Sequence, residues 1–139
     1  MQNHEFIKAV QDRAGTESHD ETINVIRATL ETLADHMAGN APAKLAAQLP
    51  QEIGEFITNH KSGETAEGER FDVQEFVRRV GERAGIGEAM TASLYASSVL
   101  AIVQDAVSRE EFDKVRGTFP AEYNTLFEQE NSEALSTRY

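Results

Sequence analysis

Apolar residues recur along this chain at the three- and four-residue spacing of amphipathic helices. Near the N-terminus, Phe6, Val10 and Ala14 are four residues apart, which places them on one helical face. A longer apolar series follows, with steps of 3, 4, 3 and 4, and is formed by Ile23, Ile26, Leu30, Leu33 and Met37. No segment alternates strictly between apolar and polar residues, as a half-buried strand would. The pattern therefore predicts an all-α fold.

Residues that favour helix ends lie where this pattern begins and stops. Three of them have a glutamate three positions later and match the capping-box pattern: Ser18, Asp72 and Ser108. Asn3 is predicted to cap the first helix, and we expect the second helix to run to about Ala38. Gly15 and Gly85 are predicted to end the first helix of each half, because glycine favours the left-handed conformation found after helices.

The two halves of the chain resemble each other. At an offset of 70 residues, positions 5–57 align with positions 75–127 without a gap, and 11 of the 53 pairs are identical. Chance would give about three identities for chains of ordinary composition. The identical pairs include Phe6/Phe76 and Pro50/Pro120, and each proline is predicted to open a fourth helix. We interpret the chain as a tandem duplication of a roughly four-helix unit.

These observations predict one domain over residues 1–139. Repeat one covers 3–58, an exposed polar linker covers 59–70, repeat two covers 71–128, and a polar tail covers 129–139. One repeat alone is too small to bury a sufficient core. We therefore expect the repeats to pack as one helical bundle about a pseudo-two-fold axis.

Four segments carry a family resemblance. They are RATLETLA at 27–34, LAAQLPQE at 45–52, ERFDVQEFVRRV at 69–80 and ERAG at 82–85. In this order they resemble the prokaryotic domain-of-unknown-function family numbered 2267, over nearly the whole chain. The resemblance implies a small all-helical soluble protein. It implies no activity and transfers no catalytic residue.

The charge and the absence of cysteine narrow the range of partners. The formal net charge is −11, from 13 Lys and Arg against 24 Asp and Glu, so the chain repels nucleic acids and anionic membrane surfaces. Without cysteine it has no disulfide or thiolate metal site, which fits a reducing compartment. No signal peptide or apolar run of membrane-spanning length is present. We expect a cytoplasmic protein that binds neither nucleic acid nor membrane.

Motifs of catalysis and cofactor binding are missing from the sequence. The four histidines, at positions 4, 19, 36 and 60, do not follow a metal-ligand spacing. The serines lie outside any nucleophile elbow, and the glycines form no phosphate-binding loop. The sequence therefore predicts no catalytic residue, no cofactor and no metal site.

The densest basic cluster consists of Arg78, Arg79 and Arg83. Such a cluster can bind phosphate or an acidic partner. It can also pair with Glu75 and Glu82 along the same helix, and this second interpretation is preferred.

Charged residues that match between the repeats form a candidate polar groove. They are Arg13, Arg83, Asp35, Asp105, Lys44, Lys114, Glu52 and Glu122. Two-fold packing would gather two copies of each charge into one groove, where paired carboxylates can act as acid and base. Alternatively, the Arg and Glu residues stabilise helix ends, and the Asp and Lys residues bridge the second and third helices. The structural interpretation is preferred.

A difference between the repeats points to a second candidate site. Residues 90–107 contain 12 apolar residues, whereas the equivalent residues 20–37 contain 8. A helix that is apolar all round is buried all round. We therefore predict that a second copy of the chain covers this helix, through an interface that includes Leu94, Tyr95, Val99, Ile102 and Ala106.

Three functions remain open from the sequence. The first is a non-enzymatic helical interaction or assembly protein that forms a homodimer or binds another protein. The second is a protein that binds a small molecule or apolar ligand in a cavity between the repeats. The third is an enzyme that uses paired carboxylates.

Overall fold

A computed structural model describes residues 1–61 and 67–128 of the chain. This part contains seven α-helices and a 3-10 turn at Ala121–Tyr123, which continues as helix over residues 124–128, and it contains no extended strand. The helices are α1 (Asn3–Ala14), α2 (His19–His36), α3 (Ala41–Gln48), α4 (Gln51–His60), α5 (Val73–Ala84), α6 (Ala89–Ala106) and α7 (Arg109–Gly117). The predicted all-α class is confirmed. The linker residues 62–66 and the predicted tail 129–139 lie outside the described residues.

Local hydrogen bonds explain most helix ends. The predicted caps Ser18, Asp72 and Ser108 each accept a hydrogen bond from the backbone N–H three residues later. Gly15 and Gly85 follow α1 and α5 with φ angles of 77° and 75°, the left-handed conformation that favours glycine.

Three predicted ends differ from the structure. Gln2, not Asn3, caps α1, and its backbone N–H donates to the Glu5 side chain. Helix α2 ends at His36, two residues before the predicted end, because an extended residue follows it. Pro50 precedes α4 as its cap instead of occupying the first helical position.

Helices α2 and α6 form the centre of the bundle. Helix α2 packs against α1, α4, α5 and α6, and α6 packs against α1, α2, α5 and α7. Helix α3 packs chiefly against α4. The core between these helices includes the fully buried side chains Phe6, Ile26, Leu33, Phe76 and Leu100. The longest apolar helices are therefore the most enclosed, as expected when burial of apolar area drives folding.

Both ends of the segment predicted as an exposed linker contact helix α2. Helix α4 continues to His60, two residues into that segment. The Lys61 ammonium donates hydrogen bonds to the carbonyl oxygens of Ala34 and Met37. On the far side, the Glu69 backbone N–H donates to the Asp35 carbonyl oxygen at 2.8 Å. These donors satisfy carbonyl groups that the end of α2 leaves without helical partners.

No described helix is long and apolar enough to cross a membrane alone. Helices α5 and α6 are long and apolar enough for a membrane span only when they are taken together. The chain bends by 93° between them.

Candidate functional site

A buried carboxylate at the end of α2 organises the largest charge cluster of the described residues. Asp35 is 8 % exposed and contacts three basic side chains. Its carboxylate accepts hydrogen bonds from His60 Nε2 at 2.7 Å and from Arg79 at 3.0 Å. Arg83 forms an ion pair with it at 2.8 Å. The cluster therefore joins α2, α4 and α5, which belong to both predicted repeats.

The arginines of this cluster are held by further contacts. Arg79 also pairs with Glu75 at 2.9 Å and with Glu69 at 3.0 Å, and its guanidinium lies 4.1 Å from the centre of the Phe71 ring. Arg83 donates to the Thr32 hydroxyl at 2.9 Å. Because each guanidinium has several acceptors, both arginines are fixed in position.

The surroundings of Asp35 favour its ionised form. Burial opposes ionisation, but the hydrogen bonds from His60 and Arg83 and the attraction to both groups outweigh it, so the pKa of Asp35 lies below its usual value. An ionised carboxylate with three basic partners acts as a fixed structural anion. It is a poor general base, since its lone pairs already accept protein donors.

The structure brings together two of the eight residues of the predicted polar groove, Asp35 and Arg83. Arg83 lies in the last turn of α5, as the structural alternative predicted, whereas Asp35 contacts α4 and α5 instead of bridging to the third helix. The other six side chains are exposed: Arg13, Lys44, Glu52, Asp105, Lys114 and Glu122.

Several of these exposed residues have local contacts. Lys114 pairs with Glu110 along α7 at 3.4 Å. The Glu122 carboxylate accepts from the Val73 backbone N–H at 2.9 Å, and the Glu52 backbone N–H donates to the Asn3 side chain at 3.2 Å. None of the eight residues lines the cavity at the end of α2 or the groove between α5 and α6.

A cavity of about 480 Å³ lies beside the end of α2. Its wall includes residues from both predicted repeats and from the segment between them: His36, Gly68, Arg70, Phe71, Thr118 and Pro120. The backbone of Gly68 passes so close to α2 that a Cβ atom there would lie 2.1 Å from the His36 carbonyl oxygen. The cavity is therefore polar and aromatic, unlike the aliphatic cavity that the sequence predicts.

His36 lies in an aromatic cluster at this cavity. Its ring stacks on Phe119 with centroids 4.0 Å apart and meets the edges of Phe71 and Tyr123. Burial, together with the positive charges of Arg70 and Lys61, lowers the pKa of His36 below its usual value and favours the neutral imidazole. Its Nδ1 atom is buried without a hydrogen-bond partner among the described residues.

An apolar groove lies between the start of α6 and α5. It measures about 300 Å³, and its wall includes Val73, Val77, Ala89, Met90 and Ser93. Met90 is 79 % exposed, which is unusual for a large apolar side chain in this protein. The groove and the protruding methionine thus share one surface.

The five predicted interface residues of α6 divide into two groups. Val99 and Ile102 are buried by the rest of the chain, with 0 % and 4 % exposure, so they offer no surface to a second copy in this conformation. Leu94, Tyr95 and Ala106 are half-buried. The excess apolar surface of α6 is largely explained by contacts with α1, α2 and α5.

Sequence reasoning missed His60 and Arg79 as partners of Asp35. It assigned His60 to the linker, and it paired Arg79 only with residues of its own helix. A helical wheel of α5 shows a signal, because Arg79 and Arg83 are four residues apart and share one face. Nothing in the local sequence identifies Asp35 as their partner, since 44 residues separate it from Arg79.

Among the described residues, no group of three histidine, aspartate or glutamate side chains is arranged to hold a metal ion. The fold and these surfaces define a compact all-helical protein with a buried charge cluster.

Residues 3–126 match the family model described as "Uncharacterized conserved protein (DUF2267)". The chain therefore belongs to this family, as the sequence motifs indicated. A search of the curated proteins finds no match.

Proposed function

We propose that this protein is a non-enzymatic assembly protein that pairs with a second copy of itself through the groove between α5 and α6. The observation that carries the proposal is Met90, a long apolar side chain that is 79 % exposed beside an apolar groove of about 300 Å³. In a closed two-fold pair, each Met90 enters the groove of the other copy, because both features lie on the same surface.

The composition of the surface supports this pairing. The wall of the groove includes Val73, Val77 and Ala89, and the half-buried Leu94 lies one helical turn from Met90 on α6. Methionine is flexible and polarisable, so it adapts to such a groove at low cost. Of the five interface residues predicted from the sequence, only Leu94 belongs to the surface proposed here. Met90 and the groove residues of α5 were not part of that prediction.

We further propose that the chain is a tandem duplication packed about a pseudo-two-fold axis. Helix α1 packs on α6, and its counterpart α5 packs on α2, as such an axis requires. Hydrogen bonds between equivalent positions support the same relation, although the donor and acceptor positions are exchanged between the repeats. Positions 3 and 52 are joined in one repeat, and positions 73 and 122 are joined in the other.

Light scattering on the purified chain tests the pairing. At roughly 50 μM we expect a mass of about twice 15.4 kDa, if the affinity is in the micromolar range. Met90→Glu places a carboxylate in the groove of the partner and should give a monomer. Gln104→Glu is the matched control, since it adds the same charge at an exposed position of α6 outside the groove.

A monomeric wild-type chain at this concentration would overturn the pairing. A dimer that survives Met90→Glu and Val77→Glu would place the interface elsewhere. Because Met90 is 79 % exposed, circular dichroism should show that Met90→Glu keeps the helical fold.

The absence of cysteine also fits a role in the reducing cytoplasm, which we propose as the compartment.

A further inference from the structure

We propose that the cavity at the end of α2 binds a small monocarboxylate with an apolar body, with Arg70 and His36 as the groups that hold its carboxylate. This ligand site is separate from the proposed pairing surface, because the wall of the cavity shares no residue with the groove at Met90. The inference therefore does not depend on self-association.

The first argument concerns Arg70. Most arginines of this acidic chain are held by carboxylates or by backbone carbonyls, as Arg79 and Arg83 are. Arg70 lines the cavity but has no hydrogen-bond or ion-pair partner among residues 1–61 and 67–128. A guanidinium in this position offers a planar set of donors that matches a carboxylate.

The second argument concerns His36. Its Nδ1 atom is buried and has no hydrogen-bond partner within the described part of the chain. When Nε2 carries the hydrogen of the neutral imidazole, its N–H group can donate a hydrogen bond to a ligand. Arg70 and His36 line the same cavity, so one anion bound there can contact both groups.

The third argument concerns the size and charge of the ligand. The cavity of about 480 Å³ lies within the range of small-molecule sites, and Phe71 and Pro120 provide apolar surface beside the two donors. Glu69 is paired with Arg79, but Glu67 is also in the wall and the chain carries a net charge of −11. This field opposes a dianion more strongly than it opposes a single negative charge.

A titration of the full chain followed by amide nuclear magnetic resonance tests the proposal. Phenylacetate is the probe, phenylacetamide is its uncharged isostere, and inorganic phosphate is the dianionic alternative. We expect saturable shifts at the amides of Gly68, Phe71 and Thr118 with phenylacetate. Phenylacetamide should bind at least tenfold more weakly, because it lacks the charge that Arg70 recognises.

Two variants assign the effect to the site. Arg70→Gln should weaken phenylacetate binding at least tenfold, and it should leave the affinity for phenylacetamide unchanged. Arg109→Gln is the control, since Arg109 is also exposed and without a described partner, but it lies at the opposite end of α7 from Thr118.

Three results would overturn the proposal. One is the absence of saturable shifts up to about 10 mM phenylacetate. This concentration exceeds the highest dissociation constant that we expect for a specific site. Another is equal binding of phenylacetate and phenylacetamide. The third is tighter binding of phosphate than of phenylacetate, which would assign the cavity to a different anion.

Discussion

Replacement of Asp35 by asparagine tests whether the buried charge cluster stabilises the contact between the two repeats. The change removes a negative charge that receives Arg79 at 3.0 Å, Arg83 at 2.8 Å and His60 at 2.7 Å. It also replaces one carboxylate oxygen, which accepts hydrogen bonds, with an amide NH2 group, which donates them. This NH2 group would face the N–H donors of the arginine and histidine side chains. Both effects weaken the attachment of α5 and α4 to the end of α2.

The size of the effect follows from burial. Removing one partner of a fully buried ion pair costs about 3–5 kcal/mol. Here the arginine side chains remain 20 % and 25 % exposed and keep other acceptors, so neither is left unpaired. We therefore expect Asp35→Asn to lower the free energy of unfolding by about 2 kcal/mol. For a chain of this length, that corresponds to a fall in Tm of roughly 8 °C.

Thermal and urea unfolding followed by circular dichroism measure this change. Asp105→Asn is the matched control, because Asp105 occupies the equivalent position of repeat two and is exposed. It should change the free energy of unfolding by less than about 0.5 kcal/mol. Equal effects of the two substitutions, or an effect of Asp35→Asn below about 0.5 kcal/mol, would refute the assignment of Asp35 as the organising anion.

The pH dependence provides a second test of the same residue. The pKa of Asp35 is lower in the folded protein than its ordinary value of 3.8, so its ion pairs contribute fully above that value. Their contribution is lost as the pH falls from about 4 toward the lower folded pKa. The difference in stability between wild type and Asp35→Asn should therefore narrow below pH 4, and a constant difference would contradict this account.

Three further predictions concern packing. Gly54→Ala should lower stability by about 1–3 kcal/mol in chemical unfolding, because the new Cβ would lie 2.5 Å from the Ala46 carbonyl oxygen. Tyr123→Phe removes the 2.6 Å hydrogen bond to the Phe71 carbonyl and should cost about 1–2 kcal/mol by the same measurement. A fragment of residues 1–64 should lack a cooperative thermal transition by circular dichroism, since α1 and α2 lose the faces of α6 and α5.

The sequence predicted most helices because their signals are local. The cap at Ser108 and the glycine after α5 act on backbone groups within a few residues, so they can be recognised without knowing the fold. The end of α2 at His36 was less predictable. Contacts from Lys61 and Glu69, which are distant in sequence, satisfy its last carbonyl groups.

The tertiary structure decided which surfaces are available for function. Composition showed that α6 is unusually apolar, but only packing placed Val99 and Ile102 inside the bundle and left Met90 outside. Likewise, sequence matching selected Asp35 and Arg83, yet only the packing of α2 against α5 joins them. Helical periodicity and helix caps depend on residues that are close in sequence. Burial and long-range ion pairs depend instead on how complete helices pack against one another.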